Sequence, residues 1–266
     1  MKVVARAVGL WILGVAPVAD ALTLTVDPPA YGLDSYAVLD VADAGVYHTE
    51  YLAPGSTSGS ATHTVASGNN VSTLRDSLSN DGIRLEFDHA RDGDPNAGAY
   101  AHAADSYGAI FFSVDADVDY RIDGEYAAVD PDGRLVLFRV TLMDETLCPD
   151  PAHPLPGAVR FSNYQESRST PNESFQLGLF EGDYGNGPFG DPGQGLLVGV
   201  LTAGHVYGLY WDTAIAAHEP ASSPATASGF VQIVFLPEPD STALLAAGIV
   251  ALAAGHRARS PAQRRE

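Results

Sequence analysis

The sequence has few of the residues on which catalytic and metal sites depend. It contains one cysteine, Cys148, and eight histidines among 266 residues. A single cysteine excludes an internal disulfide, and we expect its thiol to be buried. The histidines lack the spacing of zinc ligands, and the motifs Gly-x-Ser-x-Gly, His-Glu-x-x-His and Cys-x-x-Cys are absent. We therefore expect a protein that is not an enzyme, with a hydrolase of unrecognised type as a less favoured alternative.

Basic residues are also scarce between the two ends of the chain. Residues 22–236 carry 29 acidic side chains against 8 arginines, a net charge of −21, whereas the whole chain has −19. A body this acidic repels nucleic acids and anionic membrane surfaces and attracts cations. No nucleic-acid partner is expected.

The first 21 residues have the three parts of a secretory signal peptide. Lys2 and Arg6 give a positive start, Val8 to Ala16 is apolar, and Ala19-Asp20-Ala21 has the small-x-small pattern of a cleavage site. The apolar run is too short for a membrane anchor. The sequence thus predicts export of residues 22–236, with the cell's export machinery as a partner.

The last 30 residues, 237–266, form a second unit with its own order of features. It begins with Pro237, Glu238 and Pro239, continues with an apolar run from Thr242 to Gly255, and ends in a basic segment that contains Arg257, Arg259, Arg264 and Arg265. Arginines after an apolar run hold that end on the cytoplasmic side of a membrane. The run is short for a span, so we expect a short transmembrane helix that anchors the chain only transiently.

This order of Pro-Glu-Pro motif, apolar helix and arginine cluster resembles the PEP-CTERM sorting signal of exported bacterial proteins. Two details depart from that pattern: Asp240 precedes Ser241, and the arginines are spread out. The resemblance implies that an exosortase-type enzyme recognises the motif and processes the tail. It also implies a cell-surface or extracellular location and an association with exopolysaccharide and biofilm matrix.

Between the two signals, apolar and polar residues alternate as in β-strands. Ile83, Leu85 and Phe87 form one face of such a run, and Val136, Phe138 and Val140 form one face of another. Both sets should face a shared interior. Many short strands without a long helical pattern predict an all-β fold, an antiparallel two-sheet sandwich of jelly-roll-like form.

Three local patterns refine this prediction. Glu125–Val129 and Arg134–Leu142, joined by the turn residues Asp130–Gly133, predict a β-hairpin. The alternation from Val114 to Ile122 predicts one strand, with Asp115, Asp117 and Asp119 on its solvent face. Residues 53–70 are small and polar and predict a flexible loop or linker.

Two segments are candidate binding sites. Asp92, Asp94 and Asn96 place oxygens at alternate positions of a loop, which is compatible with Ca²⁺, although Ala97 and Ala103 exclude an EF-hand. A solvated turn is the simpler interpretation, so no cofactor is firmly expected. In the glycine-rich segment 182–195, the residues suited to glycan contact are Tyr184, Asn186, Phe189 and Asp191. A carbohydrate-binding module for the producer's own polysaccharide is therefore the alternative function.

Overall fold

The fold is built from fourteen described strands and one 3-10 helix. The computed structural model describes residues 22–26, 36–41, 46–51, 55–67, 69–93, 102–133, 135–148, 158–167, 171–177, 197–217 and 223–236. The 3-10 helix is Glu145–Leu147. The strands are β1 Leu24–Val26, β2 Tyr36–Val41, β3 Val46–Tyr51, β4 Gly59–Ser67, β5 Asn70–Ser79, β6 Gly82–Arg91, β7 His102–Val114, β8 Val118–Val129, β9 Leu135–Asp144, β10 Val159–Ser167, β11 Ser174–Gln176, β12 Val198–Leu201, β13 Val206–Ala217 and β14 Ala225–Leu236.

The described strands form two sheets of seven strands each, which confirms the predicted two-sheet, all-β architecture. Sheet 1 has the order β10-β9-β13-β7-β2-β3, with β1 also beside β7. Sheet 2 has the order β11-β8-β14-β6-β5-β4, with β12 also beside β8. All of these pairs are antiparallel. From β6 to β9 the chain changes sheet at every step.

The core lies between the two sheets and contains both predicted apolar faces. Ile83, Leu85 and Phe87 of β6, and Val136, Phe138 and Val140 of β9, are each at most 1% exposed. Across the interior, the Tyr126 ring of sheet 2 stacks on the Phe138 ring of sheet 1 with centroids 5.6 Å apart. Each such buried side chain contributes about 1.5–3 kcal/mol relative to leaving it exposed. The strand alternation thus specified correctly which side chains point inward.

The predicted hairpin around residues 130–133 is wrong, although the turn itself is present. Gly133 has a φ of 61°, and its N–H donates to the carbonyl of Asp130 over 3.1 Å. The strands on either side, β8 and β9, belong to different sheets. Their inward side chains Tyr126 and Phe138 therefore meet across the core, which a hairpin within one sheet would not allow. The turn is a crossing from sheet 2 to sheet 1.

The predicted continuous strand from Val114 to Ile122 is also wrong. β7 ends at Val114, the chain bends, and β8 begins at Val118. In the bend, Oδ1 of Asp115 accepts the Thr23 N–H over 2.8 Å, and Oδ1 of Asp117 accepts the Ala203 N–H over 2.8 Å. These carboxylates hold neighbouring backbone segments and do not form a row along one strand face.

The flexible segment predicted at residues 53–70 contains strand β4. Residues 59–67 pair with β5 from Gly59 opposite Leu78 to Ser67 opposite Asn70. Val65 is buried, and the hydroxyls of Thr64 and Thr73 are hydrogen-bonded over 3.0 Å. Small polar residues are tolerated here because β4 is the terminal strand in the described order of sheet 2 and its outer face meets solvent. The linker interpretation is therefore wrong for residues 59–67.

Candidate functional site

The outer face of sheet 2 carries side chains in rows that run across four strands. The register of β5, β6, β14 and β8 places residues of the same row side by side. Row 1 contains Val71, Ala90, Thr226 and Val129; row 2 contains Thr73, Asp88, Ser228 and Ala127; row 3 contains Arg75, Glu86, Phe230 and Glu125.

Rows 1 and 2 line an open depression of about 420 Å³, which we call the outer depression. It forms because Ala90, Ala127, Thr226 and Ser228 are small, whereas row 3 beside them carries long or aromatic side chains. The volume lies within the range of small-molecule sites, about 300–1,000 Å³. The lining combines alanine and valine with hydroxyl groups and one carboxylate, that of Asp88.

Contacts between side chains connect row 3 to the next row, which contains Arg84, Gln232 and Asp123. Arg84 donates from Nε to Oε1 of Glu86 over 2.8 Å and from Nη1 to Oε1 of Gln232 over 2.7 Å. Gln232 donates in turn to Asp123 over 3.3 Å. The Arg84 guanidinium also lies 4.3 Å from the centroid of the Phe230 ring. One face of the Phe230 ring is thus covered by Arg84, so that face is not a free stacking platform.

Beneath the depression, His89 connects the two sheets inside the core. Its Nδ1 lies 3.1 Å from the Ser72 hydroxyl of sheet 2, and its Nε2 lies 3.0 Å from the Thr213 hydroxyl of sheet 1. The Ser72 hydroxyl donates its proton to the carbonyl of Asp105. Ser72 can therefore only accept from His89, which places the proton of the neutral ring on Nδ1. The Thr213 hydroxyl faces both the unprotonated Nε2 and, over 3.3 Å, the carbonyl of Ser106. Burial lowers the pKa of His89 to about 3.

A buried ion pair closes the same end of the sandwich. The side chains of Arg91 and Asp130 are both fully buried, with Arg91 Nη2 and Asp130 Oδ1 2.7 Å apart. Arg91 Nη1 also donates to the carbonyls of Asp92 and Ser223 over 3.3 and 3.2 Å. The pair connects the end of β6, the turn from β8 to β9 and the segment before β14. We infer a structural role for it, because no solvent reaches either charge.

A second polar cluster lies at the opposite end of the sandwich. The buried carboxylate of Asp144 is 2.7 Å from Arg160 Nη2 and 3.0 Å from His205 Nδ1. Beside it, burial raises the pKa of Glu145, whose Oε1 accepts the Tyr210 hydroxyl over 2.7 Å. A carboxylate that orients a histidine is one part of a nucleophilic site. Within the described residues, no hydroxyl or thiol side chain is hydrogen-bonded to His205.

Of the residues that the sequence singled out as sites, only Asp92 lies within the described ranges. Asp92 follows β6, and its N–H donates to Asn70 Oδ1 over 2.8 Å. No group of three or more histidine, cysteine, aspartate or glutamate side chains in the described ranges is arranged to hold a metal ion. The other predicted site residues lie outside the described residues: Asp94, Asn96, Tyr184, Asn186, Phe189, Asp191, Pro237, Glu238, Pro239, Arg257, Arg259, Arg264 and Arg265.

The segment predicted to contact glycans is flanked by two described anchoring points. Leu177 N–H donates to the Gly124 carbonyl over 2.9 Å, and Ile122 N–H donates to the Leu197 carbonyl over 2.7 Å. The chain therefore leaves β8 and returns to it at nearly the same place. This part of β8 also carries Asp123, which belongs to the side-chain network of the outer face.

Two further predictions concern Cys148 and the membrane anchor. Cys148 is buried and packs with Met143 and Ala158, which confirms the predicted buried thiol. Within the ranges that the structure describes, no helix has the length and hydrophobicity that a membrane span requires. The predicted anchor from Thr242 to Gly255 lies outside them.

The buried polar residues of β6 have a signal in the sequence that the predictions above missed. His89 and Arg91 continue the inward-facing series Ile83, Leu85 and Phe87, so the same alternation places them in the core. Asp88 and Ala90 correspondingly face outward and line the depression. In comparisons with known proteins, no family model matches this chain and no curated protein matches it significantly.

Proposed function

We propose that this protein is an exported bacterial protein of the cell surface or extracellular matrix, non-enzymatic and associated with exopolysaccharide. A PEP-CTERM tail anchors it transiently in the inner membrane before an exosortase-type enzyme processes it. The observation that carries this proposal is the extent of the folded body. Residues Leu22 to Pro237 form one compact unit, which starts after the expected signal-peptide cleavage site and ends at the first residue of the Pro-Glu-Pro motif.

Removal of both signals would leave every described strand in place. The first strand begins at Leu24 and the last ends at Leu236. β14 lies inside sheet 2 and pairs with β6 on one side and β8 on the other. A tail attached there would tether the body through a strand held by two ladders of hydrogen bonds. The sandwich is thus suited both to transient anchoring and to release.

The charge of the body supports the same proposal. With a net charge of −21, residues 22–236 repel an anionic membrane surface once the tail no longer holds them there. Repulsion between copies also favours a soluble state during export. Processing of the tail would therefore be the step that determines whether the body stays at the membrane or is released into the extracellular space.

The mass of the native protein tests this proposal. We expect protein isolated from the producing cells to lack the residues before Leu22 and those beyond the Pro-Glu-Pro region. Replacing Pro237 and Pro239 by alanine should leave unprocessed protein in the membrane fraction, whereas the control Pro224→Ala should be processed normally. Recovery of mature protein that still contains Arg265 would contradict the proposal.

A carbohydrate-binding module is the second candidate function. We interpret the crossings between sheets, with β6, β14, β8 and β11/β12 in one sheet and β7, β13, β9 and β10 in the other, as a jelly roll extended by additional strands. Jelly rolls include lectin domains, but this analogy concerns the fold alone. The more specific support is that residues 178–196, which contain Tyr184 and Phe189, are anchored on both sides at β8.

Glycan binding by the double variant Tyr184→Ala/Phe189→Ala separates this candidate from a purely structural matrix protein. Loss of binding with an unchanged melting temperature would support a binding module. Turnover of a polysaccharide by the wild type would instead favour the hydrolase alternative.

A further inference from the structure

We propose that the outer depression is a binding site for a neutral glycan chain. This inference rests on the second candidate function, carbohydrate binding, and assigns it a place that differs from the glycine-rich segment. The site consists of rows 1 and 2 on sheet 2, and row 3 is the adjacent row on the same face.

The dimensions of the depression suit an extended chain that lies across the strands. Neighbouring strands are about 4.8 Å apart, so four strands span about 14 Å. Successive rows on one face are separated by two residues along a strand, or about 7 Å. The result is a long, narrow and shallow surface whose long axis is perpendicular to the strands. A linear oligosaccharide has this shape, whereas a compact cofactor would require a deeper pocket.

The chemistry of the two rows matches the two kinds of surface on a sugar ring. Row 1 presents mainly aliphatic groups, those of Val71, Ala90 and Val129, against which the C–H groups of a sugar ring can pack. Row 2 presents the hydroxyl of Ser228 and the carboxylate of Asp88, which can bond sugar hydroxyls as donor and acceptor. The apolar contacts of row 1 and the polar contacts of row 2 are therefore one row spacing apart along the strands.

The Asp88 carboxylate of this surface is held in position before any ligand binds. The Arg75 guanidinium is ion-paired with the Asp88 carboxylate. Arg84 is similarly engaged by Glu86 and Gln232. Side chains that are already ordered lose less conformational entropy on binding, which favours a weak polar ligand such as a saccharide.

Charge decides which class of glycan fits. Row 3 presents Glu86 and Glu125 beside the depression, and row 2 contributes Asp88, while Arg75 and Arg84 are already paired with carboxylates. Together with the net charge of −21, these groups repel uronate or sulfate groups. The ligand is therefore a neutral glycan chain and not an acidic polysaccharide.

The test compares two tryptophan substitutions on the same sheet face in the full chain. Ser228→Trp fills the centre of the depression, whereas Ser77→Trp adds the same bulk at an exposed position outside it. Binding to immobilised dextran, galactomannan, xyloglucan and the acidic polygalacturonate is measured for each. We expect the wild type to bind at least one neutral polymer, Ser228→Trp to weaken this at least tenfold, and Ser77→Trp to change it less than twofold.

Folding is controlled by the melting temperature, and Thr226→Trp serves as a second blocking variant at an exposed position. Stronger binding of polygalacturonate than of the neutral polymers would overturn the proposal, as would unchanged binding by both blocking variants. If only Tyr184→Ala/Phe189→Ala loses binding, carbohydrate binding stands but this site is wrong. If no neutral polymer binds, both fail, while the processing of the tail remains a separate result.

Discussion

The His89 connection between the sheets predicts that the folded protein loses stability in mild acid. The imidazole lies fully inside the core, with each ring nitrogen hydrogen-bonded to a hydroxyl, one from each sheet. Burial lowers its pKa from 6.5 to about 3, and the charge of neighbouring Asp88 opposes this only in part. The Tyr126 ring packs edge-on against it and supplies no charge. Protonation would place a positive charge in this core.

The sign and the size of the effect follow from proton linkage. The unfolded chain protonates His89 near pH 6.5, whereas the folded state does so only near pH 3. Between these values the unfolded state binds more protons, so the free energy of unfolding falls as the pH falls. From pH 7 to pH 5, this residue alone should lower it by about 2 kcal/mol. Above pH 6.5, this residue lowers the free energy of unfolding very little.

Other groups titrate in a neighbouring range, so a matched variant is needed. Burial raises the pKa values of Glu145 and Asp212, and their protonation favours the folded state as the pH falls, which opposes the effect of His89. His89→Gln removes the titrating ring and keeps amide groups that can bond the hydroxyls of Ser72 and Thr213. Subtracting its pH profile from that of the wild type leaves the contribution of His89.

Urea unfolding at pH 7, 6 and 5, followed by the fluorescence of the buried Trp211, measures this difference. The wild type should lose about 2 kcal/mol more than His89→Gln between pH 7 and pH 5. Parallel profiles would refute the reasoning, because they would mean that His89 titrates alike in both states. If the variant does not fold, a proton NMR titration of the wild-type imidazole provides the test, and a midpoint above pH 5 would contradict the prediction.

Three other perturbations have outcomes that the structure specifies. Arg91→Met should lower the free energy of unfolding by about 3–5 kcal/mol, because it leaves the Asp130 carboxylate buried without its partner. The control Arg75→Met, at an exposed ion pair, should lower it by less than about 1 kcal/mol. Urea titration measures both changes. Phe138→Ala should cost about 3–5 kcal/mol, and a loss below about 1 kcal/mol would place this residue outside the core. If a specific Ca²⁺ site exists, Ca²⁺ should raise the melting temperature more than NaCl of equal ionic strength. Asp92→Ala should abolish this difference. Equal effects of the two salts would mean that Ca²⁺ acts only by screening the charges of the protein.

The sequence was most informative where local alternation decides the outcome. The inward face of β6 and that of β9 follow directly from the period of two, because a strand in a sandwich exposes one side to the core and the other to solvent. The turn at Asp130–Gly133 was likewise recognisable, since its aspartates, proline and glycine favour a reversal. These features depend on residues that are close together in the chain.

The sequence was least informative where the partner of a strand is distant. The serines, threonines and alanines of β4 have little apolar character and by themselves predict a flexible segment. It is a strand because β5 supplies a complete ladder of partners. The outer depression depends even more on distant pairing, since Asp88 of β6 lies beside Ser228 of β14, which in turn lies beside Ala127 of β8. No local pattern indicates this order.

The hairpin error has a specific physical cause. Turn chemistry determines that the chain reverses, but it does not determine whether the next strand stays in the same sheet. Here Asp130 continues the inward series of Tyr126 and Ala128, and Arg91 continues that of β6, so both charges point into the core. Burying either charge alone would be strongly unfavourable, but together they form an ion pair of 2.7 Å. The pair holds the turn over the end of the sandwich, from which the chain enters sheet 1.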